Sequence, residues 1–259
     1  MYYDRKQEAN LPTIAVINQK GGVGKTTSTI NLGAGLAMLR KTVLLVDLDP
    51  QAHLTYGLGI QAHELDYTVY DVLRGEIPAA TAVVRRDGLE VLPSSLGLSA
   101  AEVELSGMAG REFLLKEALA SLAPHDFVLL DCPPSLGLLT LNALTATQEV
   151  FIPLQTEYLA LQGMSKLIDT VNVVKKRLNP DLTISGIIGT QFDARKNLNR
   201  EVVEKIREYF ADKLFETLIH DNVALAEAPS YGQTIFEYRP DCRGAQDYLA
   251  LSQETVARR

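Results

Sequence analysis

The sequence predicts an α/β fold in which a mostly parallel, twisted sheet is flanked by helices on both faces. Three observations support this prediction. Short apolar runs recur along the chain without the polar alternation of half-exposed strands, as expected for strands covered on both faces. Helical patterns separate these runs, and strands that alternate with helices form parallel sheets. A glycine-rich loop joins the first apolar run to the first helical pattern.

The predicted elements follow one another in chain order. In the first helical pattern the apolar residues Ile30, Leu32, Leu36 and Leu39 have helical spacing. Residues 12–259 are predicted to form a single domain, and the N-terminal extension over 1–11 is expected to be flexible. Strands are predicted over 14–17, 43–46, 89–92, 127–130, 150–154, 184–188 and 215–219, and helices over 26–39, 111–122, 161–178 and 199–210.

Composition argues against several classes of protein. The chain has 259 residues, of which 46% are hydrophobic and 22% are charged, as in folded globular proteins. Its two cysteines are far apart, which argues against a disulfide framework and a zinc site. The net charge of -7 gives no sign of a general affinity for nucleic acid or anionic membranes. No apolar run is long enough to span a bilayer, so we expect a cytoplasmic protein without membrane attachment.

The glycine-rich loop has the sequence context of a phosphate-binding loop. Gly21, Gly22 and Gly24 allow the backbone to approach phosphates closely, and the following helix begins with N–H groups that attract anions. Lys25 adds a positive charge, and the Thr26 hydroxyl is a suitable Mg²⁺ ligand. A turn that binds nothing is the alternative. The residues predicted to contact nucleotide here are Lys20, Gly21, Gly22, Val23, Gly24, Lys25, Thr26 and Thr27.

Acidic residues end two of the predicted strands. Asp47 and Asp49 follow the run over 43–46, and Asp131 follows the run over 127–130. The carboxyl ends of parallel strands meet at one edge of a sheet, so these acids are expected beside the phosphate loop. The alternative is that each is a helix cap or a turn aspartate.

The loop Lys20-Gly-Gly-Val-Gly-Lys-Thr26 resembles the deviant Walker A motif of the ParA/MinD ATPases. Gln19 stands where the common motif has glycine, and Lys20 is the additional lysine of this family. The similarity covers roughly residues 12–250. It is nearer to the chromosomal ParA/Soj branch because of Asp-Leu-Asp-Pro-Gln51 and Glu-Ala-Pro-Ser-Tyr-Gly232. The resemblance implies the P-loop NTPase fold, with ATP and Mg²⁺ as ligands and slow hydrolysis as a switch.

The resemblance also implies partners and residue roles. ATP binding would produce a homodimer in which Lys20 reaches the nucleotide of the other subunit, and a ParB-like protein would stimulate hydrolysis. The implied roles concern three kinds of contact. Catalytic roles fall to Lys20, Lys25 and Asp49, metal binding to Thr26, Asp47 and Asp131, and contacts to adenine and ribose to Gln191, Phe192 and Pro229.

DNA binding is implied by the resemblance but not by every local residue. Relatives in the ParA/Soj branch bind DNA without sequence preference, which would also bring the protein to the nucleoid. His220, Asp221 and Ala224 occupy a stretch that is usually basic in that branch. One alternative is therefore a switch that acts on a protein scaffold or cell-pole landmark. A MinD-like membrane ATPase and a metabolic P-loop enzyme are two separate alternatives. The candidate DNA contacts are Arg195, Lys196, Arg200, Lys205 and Arg207.

Overall fold

The structure is a computed structural model that describes residues 12–157 and 163–259. The predicted extension over 1–11 lies outside the described residues, as do the first two residues of the helix predicted over 161–178. Within the described ranges, seven strands form one sheet. Their bounds are β1 (Thr13–Val16), β2 (Val43–Asp47), β3 (Val84–Arg86), β4 (Leu89–Leu92), β5 (Phe127–Asp131), β6 (Glu149–Gln155) and β7 (Thr183–Thr190).

The order of strands across the sheet is β3-β4-β2-β5-β1-β6-β7. β3 pairs with β4 in antiparallel orientation, and the remaining described pairs are parallel. The register sets Asp47 of β2 directly beside Asp131 of β5. The predicted fold class is therefore confirmed, and the loops that follow β1, β2, β5, β6 and β7 emerge at one edge of the sheet.

Six of the predicted strands are present, and the strand predicted over 215–219 is wrong. The segment runs beside β7, where the N–H groups of Phe215 and Ile219 donate to the carbonyls of Ile187 and Gly189. Isolated bridges flank it, one between Leu214 and Ile187 and one between His220 and Phe192, but the segment itself does not form a strand. Its apolar residues serve packing instead, since the buried Phe215 ring contacts Phe151 edge-on at a centroid distance of 5.1 Å.

The edge strand β3 was missed because it has only three residues, Val-Arg-Arg, and little apolar character. The turn between β3 and β4 carried a signal that could have identified it. Asp87 and Gly88 both have positive φ, 45° and 81°. An Asp-Gly pair in this conformation is typical of a two-residue hairpin turn.

All four predicted helices are found in the described part of the chain, although the one expected over 111–122 begins as a 3-10 turn over Arg111–Phe113. The 15-residue C-terminal helix was not predicted because its sequence mixes charged and apolar residues. The helices are α1 (Lys25–Met38), α2 (His53–Gly57), α3 (Val69–Leu73), α4 (Ala79–Ala82), α5 (Leu98–Glu104), α6 (Leu114–Ala120), α7 (Leu138–Ala146), α8 (Met164–Arg177), α9 (Asn197–Phe210), α10 (Val223–Glu227), α11 (Ile235–Tyr238) and α12 (Arg243–Ala257).

Both faces of the sheet are covered by apolar layers. On β2, Leu44 and Val46 belong to one buried cluster, while Val43 and Leu45 belong to the other. This alternation is the consequence of the two-residue repeat of a strand. On the second face, α1 packs against α12 so closely that a Cβ on Gly35 would lie 2.2 Å from Ser252 Oγ. The helix after the phosphate loop is thus held between the sheet and the C-terminal helix.

None of the helices formed by residues 12–157 and 163–259 has the length and apolarity needed to cross a membrane.

Candidate functional site

A cavity of about 660 Å³ lies where the loops emerge from the carboxyl edge of the sheet. It brings together residues that are far apart in the sequence, from the phosphate loop, the loop after β2 and two late segments. Its lining includes the predicted site residues Gly21, Gly22, Gly24, Lys25, Thr26, Thr27, Asp49, Gln191 and Pro229. The predicted nucleotide contacts therefore mostly share one cavity.

The phosphate loop has a conformation that requires glycine at two positions. Gly22 and Gly24 have φ of 73° and 88°, in the left-handed region that favours glycine. Gly24 immediately precedes α1, so the first N–H groups of that helix face the cavity. Val23 between them is buried and anchors the loop on the fold. The loop thus presents backbone N–H groups and a helix N-terminus, the usual surroundings of a bound phosphate.

Lys25 is held in position by burial and by the backbone of the loop. Only 8% of its surface is exposed. Its Nζ donates a hydrogen bond to the Lys20 carbonyl over 3.3 Å. Burial lowers the pKa of Lys25, and the nearby Asp131 and Asp49 carboxylates oppose this shift. Anionic phosphates in the cavity would therefore favour the charged form of Lys25.

Thr26 and Asp131 form the part of the site that fits a divalent cation. The Thr26 hydroxyl donates to Asp131 Oδ2 over 2.7 Å. Asp131 Oδ1 is buried and has no hydrogen-bond partner among the described residues. Burial, followed by repulsion from Asp47, raises the pKa of Asp131 well above its usual range, while Thr26 and Lys25 oppose the shift.

A bound Mg²⁺ would give the Asp131 carboxylate a positively charged partner. The described part of the chain contains no group of three or more His, Cys, Asp or Glu side chains that could hold a metal ion by themselves. Mg²⁺ commonly binds through few protein ligands together with waters and substrate phosphates. A hydroxyl and a single carboxylate beside a phosphate loop are consistent with this mode of binding.

Asp47 lies behind the cavity and supports the loop that carries Asp49. Its buried carboxylate accepts hydrogen bonds from the Asp49 N–H over 3.1 Å and from the Thr55 N–H and hydroxyl over 2.9 and 2.7 Å. Burial raises the pKa of Asp47 to about 6, and the Thr55 hydrogen bonds oppose that shift. Metal binding by Asp47 remains a prediction, and its three protein donors favour a supporting role.

Asp49 lines the cavity and is fixed on both sides by hydrogen bonds. Its Oδ1 accepts from the Gln51 N–H over 2.9 Å. Its carbonyl accepts from the Ser94 hydroxyl over 2.9 Å, and the Ser94 N–H donates to the Thr55 hydroxyl over 2.9 Å. Thr55 and Ser94 were not identified from the sequence, because an isolated threonine and serine carry no pattern that shows their partners.

Lys20 is more exposed than Lys25 and is not among the described residues that line the cavity. Its ammonium group donates to Gln155 Oε1 and pairs with Glu157 over 3.3 Å, with 46% of the lysine side chain exposed. Gln155 also donates to Gln191 Oε1 over 2.6 Å, and Gln191 donates to the Gly22 carbonyl over 2.8 Å. Gln155, which was not predicted, therefore connects the lysine to the phosphate loop.

The late segments provide two of the three predicted nucleoside contacts. Gln191 and Pro229 line the main cavity. Phe192, the third, is not among the described residues that line this cavity or the adjacent one. Its ring instead packs edge-on against His220 at a centroid distance of 5.3 Å. The adjacent cavity has a volume of about 140 Å³ and shares Gly24, Thr27 and Gln191 with the main one. It is also lined by His220, Asp221, Asn222 and Tyr248.

The predicted DNA contacts lie on α9 and in the turn before it, where acidic and amide groups accompany them. Arg195 forms a bidentate pair with Asp193, both N···O distances being 2.9 Å. This guanidinium lowers the pKa of Asp193 to about 2. Arg207 pairs with Glu204 and Glu216 over 2.9 and 3.2 Å. Lys196 lies 4.0 Å from Asp193, Arg200 donates to Asn197, and Lys205 is on the same helix.

Comparisons with known proteins show close relatives over nearly the whole chain. A family model described as an AAA domain matches residues 11–184. The sporulation initiation inhibitor protein Soj of Bacillus subtilis is 50% identical over 250 residues, covering 94% of this chain and 98% of Soj. The chromosome partitioning protein ParA of Caulobacter vibrioides is 44% identical, covering 96% of this chain and 95% of ParA.

Solved structures share the fold. A crystal structure described as cobyrinic acid a,c-diamide synthase from Mycobacterium smegmatis with bound ADP and magnesium has a TM-score of 0.84 and 37% identity. It covers 94% of this chain and 93% of that one. The cell division ATPase MinD of Pyrococcus furiosus has a TM-score of 0.78 and 28% identity, covering 95% of this chain and 98% of that one.

Proposed function

The chain belongs to the ParA/Soj family of chromosome-partitioning ATPases, and we propose that it hydrolyses ATP in the cavity at the carboxyl edge of the sheet as a partitioning switch. The observation that carries this proposal is the pairing of Thr26 with Asp131 beside Lys25. The Thr26 hydroxyl, the buried Asp131 carboxylate and the Lys25 ammonium group lie close together beside the glycine-rich loop. This combination suits Mg-ATP better than an uncharged ligand.

The phosphates of ATP would lie on the glycine loop, with Lys25 placed for the β- and γ-phosphate oxygens. When bound, Mg²⁺ would neutralise charge on these oxygens. Thr26 and Asp131 are the residues that would hold it, and the partnerless Asp131 Oδ1 supports this assignment. The nucleoside would extend towards Gln191 and Pro229, with the smaller cavity beside Thr27 available to the base.

Asp49 is proposed to orient the water that attacks the γ-phosphorus. Attack forms the new oxygen–phosphorus bond as the bond to the bridging β–γ oxygen breaks, giving ADP and inorganic phosphate. Because Asp49 is fixed by Gln51 and Ser94, its carboxylate needs little rearrangement to hold the water. Slow intrinsic turnover is expected until a ParB-like partner completes the site.

Lys20 is proposed to act in an ATP-bound homodimer. Its ion pair with Glu157 is exposed, with 46% and 60% of the two side chains accessible. Such a pair contributes only about 0–1 kcal/mol, so Lys20 can exchange it for the phosphates of a second subunit. Loss of the lysine would then weaken dimer formation more than nucleotide binding by the single chain.

DNA is the proposed surface to which the ATP-bound dimer attaches. This attachment would associate the protein with the nucleoid. Arg195, Lys196, Arg200, Lys205 and Arg207 would supply contacts to the phosphate backbone. The acidic neighbours of Arg195 and Arg207 oppose this role, because DNA must compete with ion pairs that already exist. The alternative is a protein scaffold or cell-pole landmark as the surface, with the same ATPase cycle.

Phosphate release and DNA binding test these proposals together. We expect slow release from the wild type with Mg-ATP alone, and at least about tenfold less from Asp49→Ala. If phosphate is released only when a small-molecule acceptor is present, the result would instead favour a metabolic enzyme. The structure described as a diamide synthase carries the name of such an enzyme.

DNA binding is measured with ATP, with ADP and in Lys20→Ala, across a salt series. We expect binding with ATP only, lost in Lys20→Ala and falling steeply with salt. The matched control is Lys116→Ala, which removes an exposed lysine of α6. Dimerisation with ATP but no binding at low salt would remove DNA from the proposal and favour a protein surface.

A further inference from the structure

Two walls of the main cavity meet behind it at a pair of glycines. Tyr56 and Gly57 line one wall, and Pro229 and Ser230 line the other. Just beyond them, Gly59 and Gly232 touch through their backbones, with φ of 73° and 64°. A Cβ on Gly232 would lie 2.6 Å from Gly59 Cα. The two walls can therefore approach this closely only with glycine at position 232.

Arg86 joins the same two walls from the outside. Its Nε donates to the Leu58 carbonyl over 3.0 Å, and its Nη2 donates to the Gly232 carbonyl over 3.2 Å. One planar guanidinium thus holds one carbonyl from each wall, an arrangement for which the rigid fork of arginine is suited. We call this arrangement the Arg86 clamp.

Acidic neighbours keep the clamp in place. Glu237 lies 3.2 Å from Arg86 Nη2, and Asp87 also pairs with the guanidinium. Glu237 is itself fixed, because its carboxylate accepts from the Thr234 N–H over 2.8 Å at the start of α11. The clamp is only partly exposed, with 28% of the arginine side chain accessible.

The clamped walls also contact the helix that follows the phosphate loop. The Ile235 N–H donates to Asn31 Oδ1 of α1 over 2.8 Å. A Cβ on Gly57 would lie 3.1 Å from the Ile30 side chain and 3.5 Å from Pro229. The separation of the walls is therefore coupled to α1, although Arg86 lies on the edge strand and does not line the main cavity.

We propose that Arg86 is a positioning residue for nucleotide binding, which holds the two walls at the separation that ATP requires. The proposal rests on the proposed function in that the ligand is a nucleotide. Without the clamp, the Leu58 and Gly232 carbonyls turn to water and the walls separate. Ordering them again then opposes ATP binding. Asp49 keeps its own hydrogen bonds to Gln51 and Ser94, so chemistry at saturating ATP is preserved.

The test compares Arg86→Lys with Arg85→Lys in the full chain. A lysine ammonium is a single point charge and does not hold both carbonyls in the fork geometry. Arg85 is the adjacent residue of the same strand, is 86% exposed and pairs with Glu90, which makes it a matched control. We expect the KM for ATP to rise about tenfold in Arg86→Lys, the effect of losing one hydrogen bond to a charged group, with kcat within about twofold.

Gly232→Ala provides a second variant that separates the walls while the Arg86 side chain itself is unchanged. It should raise KM in the same direction. Hydrogen exchange read by mass spectrometry supplies a readout independent of activity. The amides of 57–60 and 231–234 should exchange faster together in Arg86→Lys but not in Arg85→Lys. ATP should slow the exchange of both segments together in the wild type.

The outcomes separate this proposal from the one on which it rests. Assays are run well below the melting temperature of every variant, so that global unfolding does not contribute. Wild-type protein that fails to bind ATP would refute the proposed function and the role of Arg86 with it. Wild-type protein that binds ATP, with KM unchanged in Arg86→Lys, would refute only the role of Arg86. A fall in kcat at unchanged KM would also refute it.

Discussion

Replacing Thr55 by valine tests the support beneath the proposed catalytic loop. Thr55 and Ser94 are fully buried. The Thr55 hydroxyl donates to Asp47 Oδ2 over 2.7 Å and accepts from the Ser94 N–H over 2.9 Å. Valine has nearly the same shape but no hydroxyl, so it removes both hydrogen bonds without creating a large cavity.

The expected magnitude follows from the two groups that lose a partner. The Ser94 N–H is left without its acceptor, and the Asp47 carboxylate loses one donor. Each loss costs about 1–3 kcal/mol when the group is buried, so we expect Thr55→Val to lower the free energy of unfolding by about 2–6 kcal/mol. Thr55→Ser keeps the hydroxyl and loses only a methyl group, which costs about 1 kcal/mol.

The loss should depend on pH, because Thr55 stabilises the charged form of Asp47. Burial raises the folded-state pKa of Asp47 from 3.8 to about 6. The stability that accompanies a raised pKa is present below the unfolded-state value and is lost as pH rises through about 6. Removing the Thr55 hydroxyl raises the folded-state pKa further, so the penalty in Thr55→Val should be larger at about pH 8 than at about pH 5.

Urea unfolding at the two pH values measures this effect, provided that the dependence on denaturant concentration is unchanged. Phosphate release in the same variants reports whether Asp49 is still positioned. Two outcomes would contradict this prediction: Thr55→Val that is no less stable than Thr55→Ser, or Thr55→Val that is equally destabilised at both pH values. Either would show that the Asp47–Thr55–Ser94 hydrogen bonds do not stabilise the protein as predicted.

Two further predictions concern the cation site and the helix packing. Asp131→Asn should stabilise the nucleotide-free protein by removing a buried acid whose pKa burial raises, yet reduce the stabilisation by Mg-ATP. Melting temperatures with and without Mg-ATP check this, and an equal shift in both proteins would contradict it. Gly35→Ala should lower the unfolding free energy by about 1–3 kcal/mol, because its Cβ would lie 2.2 Å from Ser252 Oγ, at the contact of α1 with α12. Gly35→Ala combined with Ser252→Ala should recover part of the loss, and no recovery would place the strain elsewhere.

The phosphate loop and most of the sheet were predictable because their signals are local. The loop has its strand, its glycines and its helix in one contiguous stretch, and the positive φ of Gly22 and Gly24 is the reason that glycine is required there. Buried parallel strands appear as continuous apolar runs, so six of them were found. The same signal failed over 215–219, where an apolar run lies beside β7 and donates isolated hydrogen bonds to it without forming a strand.

The sequence by itself determined the fold class, the phosphate loop and the edge of the sheet at which Asp49 and Asp131 meet, since strand direction alone brings those ends together. Only the tertiary structure decided which side chains support them. The deciding contacts join distant segments of the chain: Thr55 with Ser94, Gln155 with Lys20, and Arg86 with Gly232. The last of these spans 146 residues. A polar side chain makes a strong hydrogen bond only at short range and in the right direction. Its partner is therefore set by how the packed layers place distant backbone, which no local pattern contains.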